Sequence, residues 1–151
     1  MIEDWTILLN IGVVLLTFVA MEGVAWGMHK YVMHGFLWYL HKDHHTKEPG
    51  FFEKNDTFFL IFAIPSSLSI IGGIHYGLSY LLSIGAGIAL YGIAYFLVHE
   101  VLIHRRFNWL DNVRSPYLKR LIKAHRHHHS KRSKEDGRCF GMLIVPSEFK
   151  H

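Results

Sequence analysis

Ten of the 13 histidines fall into four short clusters: His29 with His34, His41 with His44 and His45, His99 with His104, and His125 with His128 and His129. The order is the same in both halves of the chain, an x4 pair followed by an x2-HH triplet. Imidazole is the commonest metal ligand among side chains and suits iron, copper, zinc and nickel. Ten such ligands exceed the three or four that one zinc takes. They suffice for two metals, each keeping an open position for oxygen or substrate. A tag-like tract would be contiguous, whereas these clusters are separated by apolar sequence. Three histidines stand apart: His75 on a turn, His151 at the terminus, and His127, turned away from the face of its neighbours.

Spacing suggests how the ligands are presented. His41, His44 and His45 are i, i+3 and i+4, which is one face of an α-helix, and His125, His128 and His129 repeat this. At about 100° per residue, the i, i+5 pairs His29/His34 and His99/His104 lie about 140° apart. Such pairs grip from two sides of a cavity or serve different metals. A bound imidazole usually gives its other N–H to a carboxylate or carbonyl. Asp43 and Glu100 are the expected carboxylates, and Glu53, Asp56 and Asp111 are near without an assignable ring. Glu22 sits in an otherwise apolar stretch, where an ionisable group is functional by default. With Trp26, Gly27, Gly92 and Tyr95 it is a candidate to line a substrate channel above the metals.

The elements that position these residues are apolar helices. From Thr57 to Val98 there is no Asp, Glu, Lys or Arg, and a bilayer core needs about 20 apolar residues per helix. That run holds two spans, with Gly72–Gly73 and His75-Tyr76-Gly77 marking the turn. A third runs from Trp5 to about Met28. Three buried helices in a soluble domain this small would have too much apolar surface to hide. The expected fold is all-α: one domain over residues 1–151, a multi-pass bundle of about three spans, with a helical cap carrying a poly-histidine di-metal site.

All 16 Lys and Arg lie between Lys30 and Lys54 or between Arg105 and Lys150. The positive-inside rule then puts all four clusters on the cytoplasmic side, with the N-terminus and the Gly72–Gly77 turn outside. The net charge of +4 reads as topology and attraction to anionic lipid rather than as nucleic-acid binding. Glu3 and Asp4, where a signal peptide would be basic, argue against a cleaved leader. A single cysteine, Cys139, excludes an internal disulfide and a self-contained iron–sulfur cluster. Electrons for any redox chemistry come from another protein.

HKYVMHG (29–35), HKDHH (41–45), FLVHEVLIHRR (96–106) and AHRHHH (124–129) resemble the fatty acid hydroxylase superfamily of membrane di-iron oxygenases. GFFEKND (50–56), CFGMLIVP (139–146) and the short length are similar to its bacterial carotenoid branch. The resemblance implies two iron ions, with zinc possible in purified samples, and O2 as co-substrate. It implies hydroxylation of β-carotene at C3 of the β-ionone ring, to β-cryptoxanthin and zeaxanthin, in the bacterial inner membrane. It also implies a carotenoid drawn from the bilayer, and a ferredoxin-like donor with its reductase. Arg105, Arg106, Lys119, Arg120, Lys123 and Lys131 to Lys134 offer a basic surface for such a donor. The main rival is a related oxygenase acting on a fatty acyl chain or sterol. A membrane protease fits poorly, because His99-Glu100 begins HExxxH rather than HExxH.

Overall fold

The computed structural model describes residues 2–46, 49–110, 112–131, 133–135 and 137–149, and among these every regular element is helical. Asp111 and His151 lie outside the described residues. The order is α1 (Ile2–Gly27), a π-helix (Met28–Phe36), α2 (Trp38–Thr46), a 3-10 turn (Lys54–Thr57), α3 (Phe58–Tyr76) and α4 (Ser79–Phe96). A second π-helix (Leu97–Ile103), α5 (Pro116–Ser130) and a last 3-10 turn (Ser147–Phe149) complete it. Three helical stretches, Asp4–Phe36, Lys54–Tyr76 and Ser79–Ile103, are long and apolar enough to cross a membrane. The expected all-α fold with three candidate spans is therefore present.

The chain divides into two compact units. In the first, residues 2–21 and 58–94, large apolar side chains face outward: Leu9, Leu16 and Val19 on α1, Phe59, Leu68 and Ile74 on α3, Ile93 on α4. In water each would forfeit about 25 cal/mol per Å² of exposed apolar surface; lipid removes that penalty. Small residues let these helices close up, as is usual where lipid tails leave no hydrophobic drive between them. A Cβ on Gly87 would stand 2.8 Å from the Val14 carbonyl oxygen, and one on Gly73 would stand 2.5 Å from the Leu82 nitrogen. Ser66 donates its hydroxyl to the Gly85 carbonyl at 2.8 Å, and Phe18 meets Tyr91 edge-on at 5.7 Å.

The turn between α3 and α4 has a specific cause. Gly77 adopts φ +66°, a left-handed conformation that suits glycine. Leu78 N–H bonds the Gly73 carbonyl at 2.9 Å and Gly77 N–H bonds that of Ile74 at 3.4 Å, the paired bonds of a Schellman C-cap. Gly72 and Gly73, expected to share in the turn, are helical instead, and Gly73 is there for its close approach to Leu82.

The second unit, residues 22–57 and 95–149, contains the polar half of the chain. Ser115 precedes α5 with Pro116 in its first turn, where the missing N–H costs nothing. Leu121, Ala124, His125 and His128 are buried at i, i+3, i+4 and i+7, a single stripe of a helix. Ile103, Leu121 and Met142 form its apolar core, with Tyr95, Val98, Ile122 and Val145 packed against them.

Candidate metal centre

The two π-helices decide where the x4 pairs point. His104 N–H bonds the His99 carbonyl at 2.9 Å and Leu37 N–H bonds that of Val32 at 3.0 Å, both i→i+5 contacts, the second across a kink where Gly35 leaves helical geometry at φ −101° and ψ −124°. That ladder carries residue i+5 over residue i, so His29 and His34 face the same side, as do His99 and His104. The divergence expected from α-helical spacing does not occur. Single turns of π-helix are rare and are concentrated at functional sites.

The ten histidines gather as two groups of five: His29, His34, His41, His45 and His128, and His44, His99, His104, His125 and His129. Within each, one ring nitrogen per residue lies within 4.8 Å of all the others. The groups adjoin, with the His45 and His129 rings stacked at 4.5 Å between centroids. Each half of the chain supplies four members of one group and a single member of the other, His44 crossing one way and His128 the other. His127 stands apart with its ring against Phe149, and His75 is exposed beside Tyr76.

Every ring of the His29 group is oriented through Nδ1. His29 donates to the Phe140 carbonyl at 3.0 Å, His34 to that of Lys134 at 3.2 Å, and His45 to that of Lys131 at 3.0 Å. His128 donates to the Arg138 carbonyl at 2.8 Å and His41 to Asn55 Oδ1 at 2.6 Å. With Nδ1 protonated in all five, each Nε2 presents a lone pair. Those of His29, His45 and His34 nevertheless stand 3.2 Å from the Nε2 of His41, His41 and His128 respectively. Two lone pairs cannot hydrogen-bond each other, but they can share a cation. At a metal–nitrogen length of about 2.1 Å, neighbouring ligands at right angles are about 3.0 Å apart and opposite ones about 4.2 Å. The observed spacings match, so the donor set fits a metal ion.

The His44 group has the same inner spacing, with His44 Nε2 at 3.1 Å from that of His99, and His125 Nε2 at 3.2 and 2.8 Å from those of His104 and His129. Its outer contacts differ: His44 Nδ1 faces Glu53 and His99 Nδ1 faces Glu100, both at 2.6 Å. Arg106 spans Glu100 and Asp56 at 2.8 and 2.7 Å. A cavity of about 380 Å³ reaches His44, His104, His125 and His129 and, from the other group, His45, with Arg105, Arg106 and Arg126 in its wall. All of the His29 group is buried, whereas His104 and His129 are half-buried.

Of the two expected outer carboxylates, Glu100 meets its neighbour His99, while Asp43 accepts the Lys54 N–H at 2.6 Å and so holds the chain that carries Glu53 and Asn55. Glu53 had no assignable ring in the sequence, and Asn55 was missed; both lie in the GFFEKND segment. The four carbonyl partners were invisible, since any residue carries one. Glu22 Oε1 accepts three consecutive backbone N–H groups, from Met142, Leu143 and Ile144, at 2.9, 2.8 and 3.0 Å. Among the other channel candidates, the Tyr95 ring lies 5.0 Å from that of His99. Trp26 is partly exposed beneath Lys30. A Cβ added at Gly27 or at Gly92 would meet nothing within 4 Å.

Burial, then neighbouring imidazoles, push His45 down to about 4 and His104 and His128 to about 3. These rings are neutral and ready to ligate at neutral pH. An unfolded histidine takes a proton near pH 6.5, so below that pH the unfolded chain binds more protons and the fold loses stability. Metal-free protein in detergent is expected to melt at a lower temperature at pH 5 than at pH 7. An equal or higher midpoint at pH 5 contradicts this.

Residues 14–146 match the family model described as fatty acid hydroxylase. The chain is 44% identical to a beta-carotene hydroxylase of Pseudescherichia vulneris, over 91% of this chain and 78% of that protein. It is 34% identical to a beta-carotene hydroxylase of Paracoccus sp. (strain PC1), over 89% and 83%. It is also 39% identical to a chloroplastic beta-carotene 3-hydroxylase of Haematococcus lacustris, over 97% of this chain and 45% of that longer protein. No solved structure gives a significant match.

Proposed function

We propose that this chain, which belongs to the fatty acid hydroxylase family, hydroxylates C3 of the β-ionone ring of β-carotene, with residues 1–151 acting as one functional domain. The observation that carries the reading is the two five-imidazole groups with their lone pairs turned inward, in a chain similar to carotene hydroxylases. The ten histidines would hold two iron ions. Bound iron supplies the activation of O2: one oxygen atom enters the C–H bond and the other leaves as water, at a cost of two electrons and two protons.

The chain's own residues do the rest. Outer oxygens fix the tautomer and aim of His29, His34, His41, His45 and His128 and of His44 and His99, and burial of the His29 group keeps water from one side of the centre. The positive-inside count supports a cytoplasmic site in a bacterial inner membrane, within reach of a ferredoxin-like donor and its reductase. Arg105 and Arg126, exposed at the mouth of the cavity beside the His44 group, suit an acidic donor surface.

Expression in bacteria that accumulate β-carotene tests the reading. The expected products are β-cryptoxanthin and zeaxanthin, with iron co-purifying after anaerobic reconstitution. Unchanged carotene together with hydroxylated acyl chains or sterols would transfer the activity to the family's other substrates. A substrate this apolar enters from lipid, since leaving it costs about 25 cal/mol per Å². The open space at Gly27 makes it a place where added bulk obstructs passage without disturbing packing. Gly27→Leu is expected to cut turnover at least tenfold at unchanged metal content; full activity in that variant rules out entry past Gly27.

A further inference from the structure

The two histidine groups are nearly matched in their ligands and unmatched in what surrounds them. Around the His29 group, four of the five Nδ1 protons go to carbonyl oxygens of one short segment: Lys131, Lys134, Arg138 and Phe140. The fifth goes to the neutral amide of Asn55. Between Arg138 and Phe140 the backbone passes through Cys139 at φ +64°, unusual for a residue with a side chain. That reversal aims two nearly adjacent carbonyls at different rings. Just beyond, Glu22 Oε1 gathers the N–H groups of Met142, Leu143 and Ile144. Gly141 leaves room for this grip, because a Cβ there would stand 2.9 Å from Glu22 Oε1. In the His44 group two of the five rings, His44 and His99, face instead the charged carboxylates of Glu53 and Glu100.

We propose that the two metal positions are chemically unequal: carboxylates tune the His44 group into the tighter site, while a main-chain belt fastened by Glu22 aims the His29 group. The inference rests on the two-metal reading above. A carboxylate that accepts the Nδ1 proton makes the opposite nitrogen a stronger donor than a neutral carbonyl does. Glu53 and Glu100 are thus positioning and tuning residues for one metal. Glu22, from within a candidate span, is a positioning residue for the other. The three main-chain donors give this carboxylate hydrogen-bond partners within an otherwise apolar helix.

Cobalt(II) titration of the full, metal-free chain in detergent separates the two by affinity, with uptake followed through the d–d absorption of the bound ion. The native protein is expected to take up two equivalents in two steps. His129→Ala and His29→Ala, each removing a ligand from one group, assign the steps. Glu53→Gln and Glu100→Gln are expected to weaken the tighter, His44-group step by about 10–100-fold, the usual effect of losing an outer-shell partner, and to leave the other alone. Glu22→Ala should weaken only the His29-group step. Gly141→Ala, which crowds the same carboxylate, should do the same if Glu22→Ala fails to fold. Glu22→Gln should retain most of the affinity, since its amide oxygen also accepts N–H groups. The proposal is overturned if both sets of variants weaken the same step, if neither moves, or if the His29 group is the tighter. Native protein that takes up fewer than two equivalents overturns the two-metal reading itself, an outcome visible before any variant is made.

Discussion

His44→Ala is expected to abolish hydroxylation and to cost the metal of the group otherwise supplied by His99, His104, His125 and His129, although its neighbours His41 and His45 serve the other group. His128→Ala should do the mirror image, emptying the group of His29, His34, His41 and His45. The expected loss of activity is at least about 100-fold, beyond the 10–100-fold typical of removing an outer-shell partner. His127→Ala and His75→Ala should leave both activity and metal near the native level, since one ring packs on Phe149 and the other lies beside Tyr76. Iron content of purified variants, with carotenoid conversion in cells, checks all four. Activity in His128→Ala together with its loss in His127→Ala would reverse the assignment within that triplet.

The crossing of His44 and His128 gives the repeated spacing a structural meaning. In each half the pair on a π-helix and the first and last members of the triplet stay together, while the middle member crosses over. Neither group is complete without the other half, so a metal held in either would tie the first half of the chain to the second. The intervening residues are too different to prove a duplication, but the exchange is what two related halves facing each other would produce.

The apolar helices were legible because lipid demands long uncharged runs, and those runs are in the composition from Thr57 to Val98. Gly77 was legible as a turn because a left-handed C-cap suits glycine. The triplets were legible because i, i+3, i+4 spacing holds on the ordinary helices α2 and α5. The x4 pairs were misjudged because the residues do not announce a change from i→i+4 to i→i+5 bonding, and the angle between ligands follows from that change. Adjacent histidines such as His44 and His45 carry no mark of which group each will join. Least visible were the Lys131, Lys134, Arg138 and Phe140 carbonyls, which depend on the path of a segment without regular structure. Glu22 stood out as a charge in an apolar helix, but its partners lie some 120 positions away and are backbone groups.

Arg106→Ala is expected to lower the thermal midpoint of the purified protein by about 5–10 °C, taking about 2–4 °C per kcal/mol for a chain of this length. Arg106 donates from Nη1 to Asp56 Oδ1 and Glu100 Oε2 at 2.7 and 2.8 Å, and from Nη2 to Asp56 Oδ2 at 2.9 Å and to the Phe51 carbonyl. Its side chain is 15% exposed and that of Glu100 13%. Exposed ion pairs contribute about 0–1 kcal/mol, and removing one partner of a buried pair costs about 3–5. A partly buried, forked contact lies between, at about 2–3 kcal/mol. Its loss also gathers Glu53, Asp56 and Glu100 without their counter-ion, and Glu100 is the group that orients His99. Arg106→Lys keeps the charge but not the planar fork, so it should recover roughly half the stability and less of the metal affinity. A midpoint for Arg106→Ala within about 1 °C of the native protein, against the shift expected from that scaling, would show that the carboxylates beside the His44 group do not depend on this cation.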